Sequence, residues 1–132
     1  LLDTQNFPFS YWVNQEIEKI RNQENTPIDF FPDFLHRGFY YEQLERYYQF
    51  FPVENILVIE HRELKNNRIS TLRKIEQFLN ISYVDWNTIN LDDKFVSQYN
   101  VKLPSDIRNK LKAFFKPYNE KFYKLIKRNF DW

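Results

Sequence analysis

Cysteine and methionine are absent from this sequence, glycine occurs once, at Gly38, and histidine occurs only at His36 and His61. Each absence removes a class of chemistry. Without cysteine there is no disulfide, no thiolate nucleophile and no zinc site built on sulfur. Two imidazoles are too few for a histidine-rich metal centre. Walker-type loops and dinucleotide fingerprints use several glycines so that the backbone can turn tightly and approach phosphate. One glycine builds neither. No apolar run approaches the roughly 20 residues of a membrane span. No basic, apolar, small-residue leader is present either. The expectation is a cytoplasmic protein with no membrane span. The missing methionine, with Leu1 in first place, points to an internal or C-terminal piece of a longer protein. The formal net charge of +1 argues neither for nor against a polyanionic partner.

What the chain has instead is aromatic residues, 20 % of its 132 positions, enough to supply a large core. A chain of this length buries roughly 65–70 % of its unfolded surface on folding. The stretch 38–81 carries the organisation. Tyr40, Leu44, Tyr47 and Phe51 recur at helical spacing. Phe51-Pro52 then closes that helix, which the pattern starts near Asp33 and enters through a turn at His36-Arg37-Gly38. Gly38 serves either a positive φ or the close approach of another group. Ile56-Leu57-Val58-Ile59 is apolar on both pleat faces, as in a strand covered on both sides. Ser70 is placed to cap a helix whose inner face is Leu72, Ile75, Phe78 and Leu79. Helix, buried strand and helix in succession indicate an α/β layer, mostly helical, with one central strand at about 55–60.

Outside that stretch, Pro8 suits the first turn of a helix. Its apolar stripe is Trp12, Val13, Ile17 and Ile20, with Glu16, Glu18, Lys19 and Arg21 on the wet side. Residues 22–32 read as a loop with an apolar patch at Ile28, Phe30 and Phe31, which either tucks under its neighbours or lines a substrate. Residues 82–103 are irregular and long for a connection, the pattern of a lid or binding loop. Ser105 opens a helix with Ile107, Leu111, Phe114 and Phe115 inward, which Pro117 breaks or kinks. Asn119 then caps a last helix with Phe122, Leu125 and Ile126, before Phe130 and Trp132 fold back. Lys102, Arg108, Lys110, Lys112, Lys116, Lys121, Lys124, Lys127 and Arg128 cluster here. They are either the solvated side of amphipathic helices or a phosphate-facing surface. Glu60, His61, Arg62 and Glu63 follow the strand. They form either a salt-bridged turn or a ligand site at the strand's carboxyl end.

Three stretches together resemble the C-terminal part of the sulfotransferases that use 3′-phosphoadenosine 5′-phosphosulfate, in particular bacterial members related to the heparan-type domain. The first is Arg37-Gly38-Phe39-Tyr40 with Leu44 and Phe51-Pro52. The second runs from Asn55-Ile56-Leu57-Val58-Ile59 to Glu63-Leu64, then Thr71-Leu72, Ile75 and Phe78-Leu79, with Asn80 where the family usually has glycine. The third is Leu111, Phe114-Phe115, Pro117, Asn119, Tyr123, Leu125 and Asp131-Trp132. Order and spacing hold over roughly 38–132.

The resemblance implies the C-terminal portion of a three-layer, P-loop-like fold, with 1–132 a single or partial domain. It implies transfer of a sulfuryl group from the phosphosulfate, leaving 3′-phosphoadenosine 5′-phosphate, to a hydroxyl or amine on a small molecule or carbohydrate. By correspondence, His61, Phe95, Ser97 and Tyr99 belong to the cofactor side, where an aromatic ring stacks on adenine and a hydroxyl bonds phosphate. His36, Arg37, Tyr40 and Tyr41 belong to the acceptor side. The family's lysine-containing phosphosulfate loop, its Arg and Ser for the 3′-phosphate and its usual base have no counterpart here. The implied partner is therefore the remainder of the sulfotransferase domain, and the chain alone is expected to be inactive. The competing reading is a non-enzymatic helical module that binds a protein or nucleic acid through a basic C-terminal helix pair.

Overall fold

A computed structural model of the chain describes residues 8–22, 34–92, 102–130 and 132. The described residues are mostly helical and contain no strand. In order they form α1 (Phe9–Asn22), a 3₁₀ turn (His36–Gly38), α2 (Tyr40–Tyr48), a second 3₁₀ turn (Val53–Asn55), α3 (His61–Asn66), α4 (Arg68–Leu79), a third 3₁₀ turn (Trp86–Thr88) and α5 (Ser105–Ile126). The chain divides into two compact units, residues 1–47 with 102–132, and residues 48–101.

In the first unit α1 packs on α5. Val13 and Ile17 of α1 are buried with Leu35, Phe39, Ile107 and Phe114. The apolar stripes expected for α1 and for the start of α5 are therefore the core. Phe39 is its centre: it stacks on Tyr118 at 4.0 Å and meets Phe114 and Phe115 at 6.0 Å each. A second aromatic group closes the C-terminal end. Trp132 stacks on Phe122 at 5.9 Å and on Phe130 at 5.0 Å, so these last residues fold back as expected.

Several expectations fail here. Helix α5 runs unbroken for 22 residues with Pro117 inside it, so Asn119 caps nothing. Only one intrahelical donor is missing at Pro117, and Phe114 and Phe122 are buried on either side of it. The basic C-terminal helix pair is thus a single helix. Helix α2 starts at Tyr40, not near Asp33, and ends at Tyr48. Leu44 is its buried position, while Tyr40, Tyr47 and Phe51 are exposed. Glu16, placed on the wet side by its charge, is buried, because two backbone donors compensate it (below).

In the second unit α3 packs on α4, the two separated by Asn67 alone. The central strand is not formed. Ile56 and Glu60 have extended backbone, but residues 56–60 pair with no other described segment. A strand is stabilised by its ladder, so an apolar extended segment without neighbours remains an unpaired strap. Leu57 is exposed, and Ile56, Val58 and Ile59 are half-buried. Nor does Ser70 cap α4. The helix begins two residues earlier, at Arg68, and the Ser70 hydroxyl donates to the Asn67 carbonyl from within the first turn. The buried positions of α4 are Thr71 and Glu76, with Leu72 and Ile75 half-buried and Phe78 and Leu79 exposed. Asn80 ends α4 at φ 50°, ψ 43°. Its N–H donates to Gln77 and that of Ile81 to Glu76, a Schellman closure. The left-handed geometry explains why glycine suits this position and why asparagine replaces it at small cost.

Candidate functional site

The first unit holds a cleft of about 680 Å³ along α5. Its geometry starts at the turn before α2. Leu35 N donates to Glu16 Oε1 at 2.6 Å, and His36 N lies 3.4 Å from the same oxygen. A carboxylate on α1 thus fixes the start of the His36–Gly38 turn. The turn closes through Gly38 N to Leu35 O at 2.9 Å. Gly38 has no positive φ; its role is close approach. A Cβ there would lie 2.7 Å from Phe115 Cε1. Glycine therefore lets the turn sit directly on the α5 ring, and both residues line the cleft.

Tyr40 forms another part of the wall, edge-on to Trp132 at 5.7 Å. From α5 come Arg108, Lys112, Lys116, Asn119, Glu120 and Tyr123. They recur at three- and four-residue spacing and so share one face of the helix. The cleft combines aromatic rings, a row of cations, an amide and one carboxylate.

The expected acceptor-side residues are adjacent but do not all face this cleft. Tyr40 lines it; His36, Arg37 and Tyr41 do not. His36 Nε2 is 3.5 Å from Glu42 Oε2, and its ring stands edge-on to Phe39 at 5.2 Å. Imidazole orientation is thus set by a carboxylate and a buried ring. The Arg37 carbonyl accepts from Gln43 Nε2 at 3.0 Å, and its side chain is exposed. The Tyr41 hydroxyl donates to Glu45 Oε1 at 2.5 Å. That bond above all, then desolvation and the carboxylate charge, holds the Tyr41 pKa above the ordinary tyrosine value.

On the cofactor side, His61 is the first residue of α3 in the second unit and is exposed. The correspondence placed it in the exit from a strand; it sits instead on an unpaired strap's exit into a helix. Arg62 Nε is 3.7 Å from Glu60 Oε1, and Lys74 pairs with Glu63, so a salt-bridged turn surrounds it. Phe95, Ser97 and Tyr99 lie outside the described residues, as does the apolar patch at Ile28, Phe30 and Phe31. No group of metal-ligating side chains is found among the described residues.

The second unit contains a buried carboxylate that periodicity did not reveal. Glu76 receives Arg73 Nη1 at 2.6 Å, Val84 N at 2.9 Å and Trp86 Nε1 at 2.9 Å. Arg73 also donates to the Val84 carbonyl at 2.7 Å, and its guanidinium covers the Tyr83 ring at 3.8 Å. The Arg73 bond is the main cause that holds the Glu76 carboxyl below the usual carboxylate range, against the opposing effect of burial. The same bond raises the Arg73 pKa. The network ties residues 83–86 onto α4 and supplies no reactive group.

The sequence profile of the sulfotransferase domain matches residues 3–93. The chain belongs to the sulfotransferase domain family. The chain is 33 % identical to the membrane-associated sulfotransferase kil1 of Dictyostelium discoideum, over 74 % of its own length and 20 % of the relative's. It is 25 % identical to the human heparan sulfate glucosamine 3-O-sulfotransferase 5, and 24 % to the mouse protein of that name, over 70 % of the chain and 32 % of each relative. The chain spans between a fifth and a third of these curated relatives. None of the solved structures matches it. The match covers two of the three stretches on which the resemblance rests and reaches upstream of Gly38. The third stretch, in α5 and beyond, lies outside it. The relatives named are eukaryotic, so a bacterial affiliation gains no support from them. No helix among the described residues is long and apolar enough to cross a membrane.

Proposed function

We propose that this chain is part of an enzyme that moves a sulfuryl group from 3′-phosphoadenosine 5′-phosphosulfate to a hydroxyl or amine of a small molecule or carbohydrate. The observation that carries the reading is the sulfotransferase-domain match over residues 3–93. In the reaction the bond between sulfur and the bridging phosphate oxygen breaks and a bond from the acceptor oxygen or nitrogen to sulfur forms. The acceptor proton leaves to a base, and 3′-phosphoadenosine 5′-phosphate departs with the bridging oxygen. Such transfers depend on positioning and on cations around the departing oxygen.

In this reading the chain supplies the C-terminal part of the pocket within the family's three-layer α/β fold, and the phosphosulfate loop comes from elsewhere in the domain. Residues 56–60 become the central strand once neighbours pair with them. His61, Phe95, Ser97 and Tyr99 serve the nucleotide. His36, Arg37, Tyr40 and Tyr41 serve the acceptor, with His36 held ready by Glu42. The test is a calorimetric titration of the protein carrying the whole sulfotransferase domain with 3′-phosphoadenosine 5′-phosphate. Saturable binding, weakened by His61→Ala, is the expected result. Absence of binding by the folded domain overturns the reading.

A further inference from the structure

Glu16 is a buried carboxylate with no place in the transfer chemistry itself. It lies on α1 beside the core residues Val13 and Ile17 and is only 7 % exposed. Burying a carboxylate is costly unless hydrogen bonds replace its water. Here Oε1 accepts from Leu35 N at 2.6 Å and, more loosely, from His36 N at 3.4 Å. Both donors stand at the entrance to the His36–Gly38 turn. The rest of the turn is held from other directions. Gly38 N donates to Leu35 O at 2.9 Å and Phe39 N to His36 O at 3.0 Å. Gly38 rests against the Phe115 ring, and Phe39 stacks on Tyr118 at 4.0 Å. The packing on α5 therefore secures the exit of the turn, and Glu16 secures its entrance. Tyr40, which follows directly, lines the cleft, and the His36 imidazole is oriented by Glu42 and Phe39.

We infer that Glu16 is a positioning residue for the acceptor side of the sulfuryl-transfer site. This role rests on the sulfotransferase reading. His36, Arg37 and Tyr40 belong to one short run of backbone, so a shift at its entrance moves all three together. Groups that orient a reactant act through their fixed geometry, and a misplacement of about 1 Å can cost up to about 100-fold in rate. Without the Glu16 oxygen, the Leu35 and His36 amides lose their acceptor on α1, and the entrance is free to relax. The nucleotide side is expected to be spared, because His61 lies in the other compact unit. Reach matters here more than charge. Glutamine keeps the length of the side chain and one oxygen that accepts an N–H bond. Aspartate keeps the charge but is one methylene shorter, too short to hold the same two donors.

The experiment uses the protein carrying the whole sulfotransferase domain, with Glu16→Gln, Glu16→Asp and Glu16→Ala variants. Glu18→Gln, an exposed carboxylate of the same helix, is the control. All are assayed below their melting midpoints, with the folded fraction set by circular dichroism. Transfer of sulfur label from 3′-phosphoadenosine 5′-phosphosulfate is followed to 4-nitrophenol, to glucosamine and to a desulfated heparin tetrasaccharide. Affinity for 3′-phosphoadenosine 5′-phosphate is measured by calorimetry. Glu16→Ala and Glu16→Asp are expected to raise the acceptor KM and to lower kcat/KM per folded molecule by about tenfold. Nucleotide affinity should stay within about twofold of the parent's, and Glu16→Gln should recover kcat/KM to within about threefold. Glu18→Gln should behave as the parent. A merely structural carboxylate would lower the melting midpoint and leave the acceptor KM of folded molecules unchanged, and that result overturns the inference. So does an aspartate variant that outperforms the glutamine variant, or a loss of nucleotide affinity in step with the loss of transfer. Glu16→Asp against Glu16→Gln decides the matter even where Glu16→Ala does not fold. A folded parent that binds no nucleotide and labels no probe overturns the sulfotransferase reading itself, and the role of Glu16 falls with it. A parent that transfers label alongside unchanged variants overturns the role of Glu16 alone.

Discussion

Gly38 is the residue at which one added carbon changes most. Its backbone is of a kind any residue adopts, so the constraint is steric: the turn rests against the Phe115 ring. That ring is held by Phe39 and Phe114 and cannot swing aside freely. Gly38→Ala is therefore expected to destabilise the fold by about 1–3 kcal/mol, the usual cost of overpacking. A denaturant midpoint equal to that of the parent would show that the ring yields. Residue-scale chemistry was only partly legible in the sequence. That Gly38 mattered could be read from its being the one glycine, with close approach as one of two reasons. The burial of Glu16 could not. It occupies a position between the apolar Val13 and Ile17, but its charge argued for solvent, and only the backbone donors of Leu35 and His36 make its burial tolerable.

At the scale of elements, apolar spacing located α1 and both halves of α5, because a helix shows its inner face directly in the sequence. It misjudged where α2 and α4 begin, and it misread two further features. Pro117 suggested a break, yet the packing of Phe114 and Phe122 outweighs one lost hydrogen bond. Four apolar residues at 56–59 suggested a strand, yet a strand depends on neighbours that a local pattern cannot supply. The attachment of residues 83–86 to α4 was illegible for a similar reason: Glu76, Arg73 and Trp86 are brought together by the fold. Because Glu76 has a folded pKa below its unfolded value, its contribution is complete above about pH 4.3 and is lost as pH falls through the folded pKa. Glu76→Gln should accordingly lower the melting midpoint at pH 7. The gap between variant and parent should shrink as both are taken below pH 4. A gap that stays constant from pH 7 to pH 3 would mean that the Glu76 charge contributes nothing.

At the scale of the whole molecule, the second unit leaves much apolar surface open. Phe50 and Tyr83 are 75 % and 73 % exposed, and Leu57, Leu79 and Ile81 are exposed beside the unpaired strap or at the end of α4. An extended apolar segment with free backbone groups is a template for pairing with another chain. The isolated chain is expected to self-associate at micromolar concentration, and Leu57→Lys should reduce that association. A monomeric chain with a sharp, cooperative melt would contradict it. The family itself was legible in motifs, since two of the quoted stretches fall within the matched residues. The α/β architecture was not, because the described residues hold helices alone.

The most direct measurement is transfer itself. The protein carrying the whole domain is incubated with 3′-phosphoadenosine 5′-phosphosulfate labelled at sulfur, together with hydroxyl and amine acceptors that include acidic oligosaccharides. Label is expected on an acceptor in amounts that grow with enzyme, and its transfer is expected to cease when 3′-phosphoadenosine 5′-phosphate is added in excess. Folded protein that leaves all label on the nucleotide, with every acceptor class supplied, would contradict it.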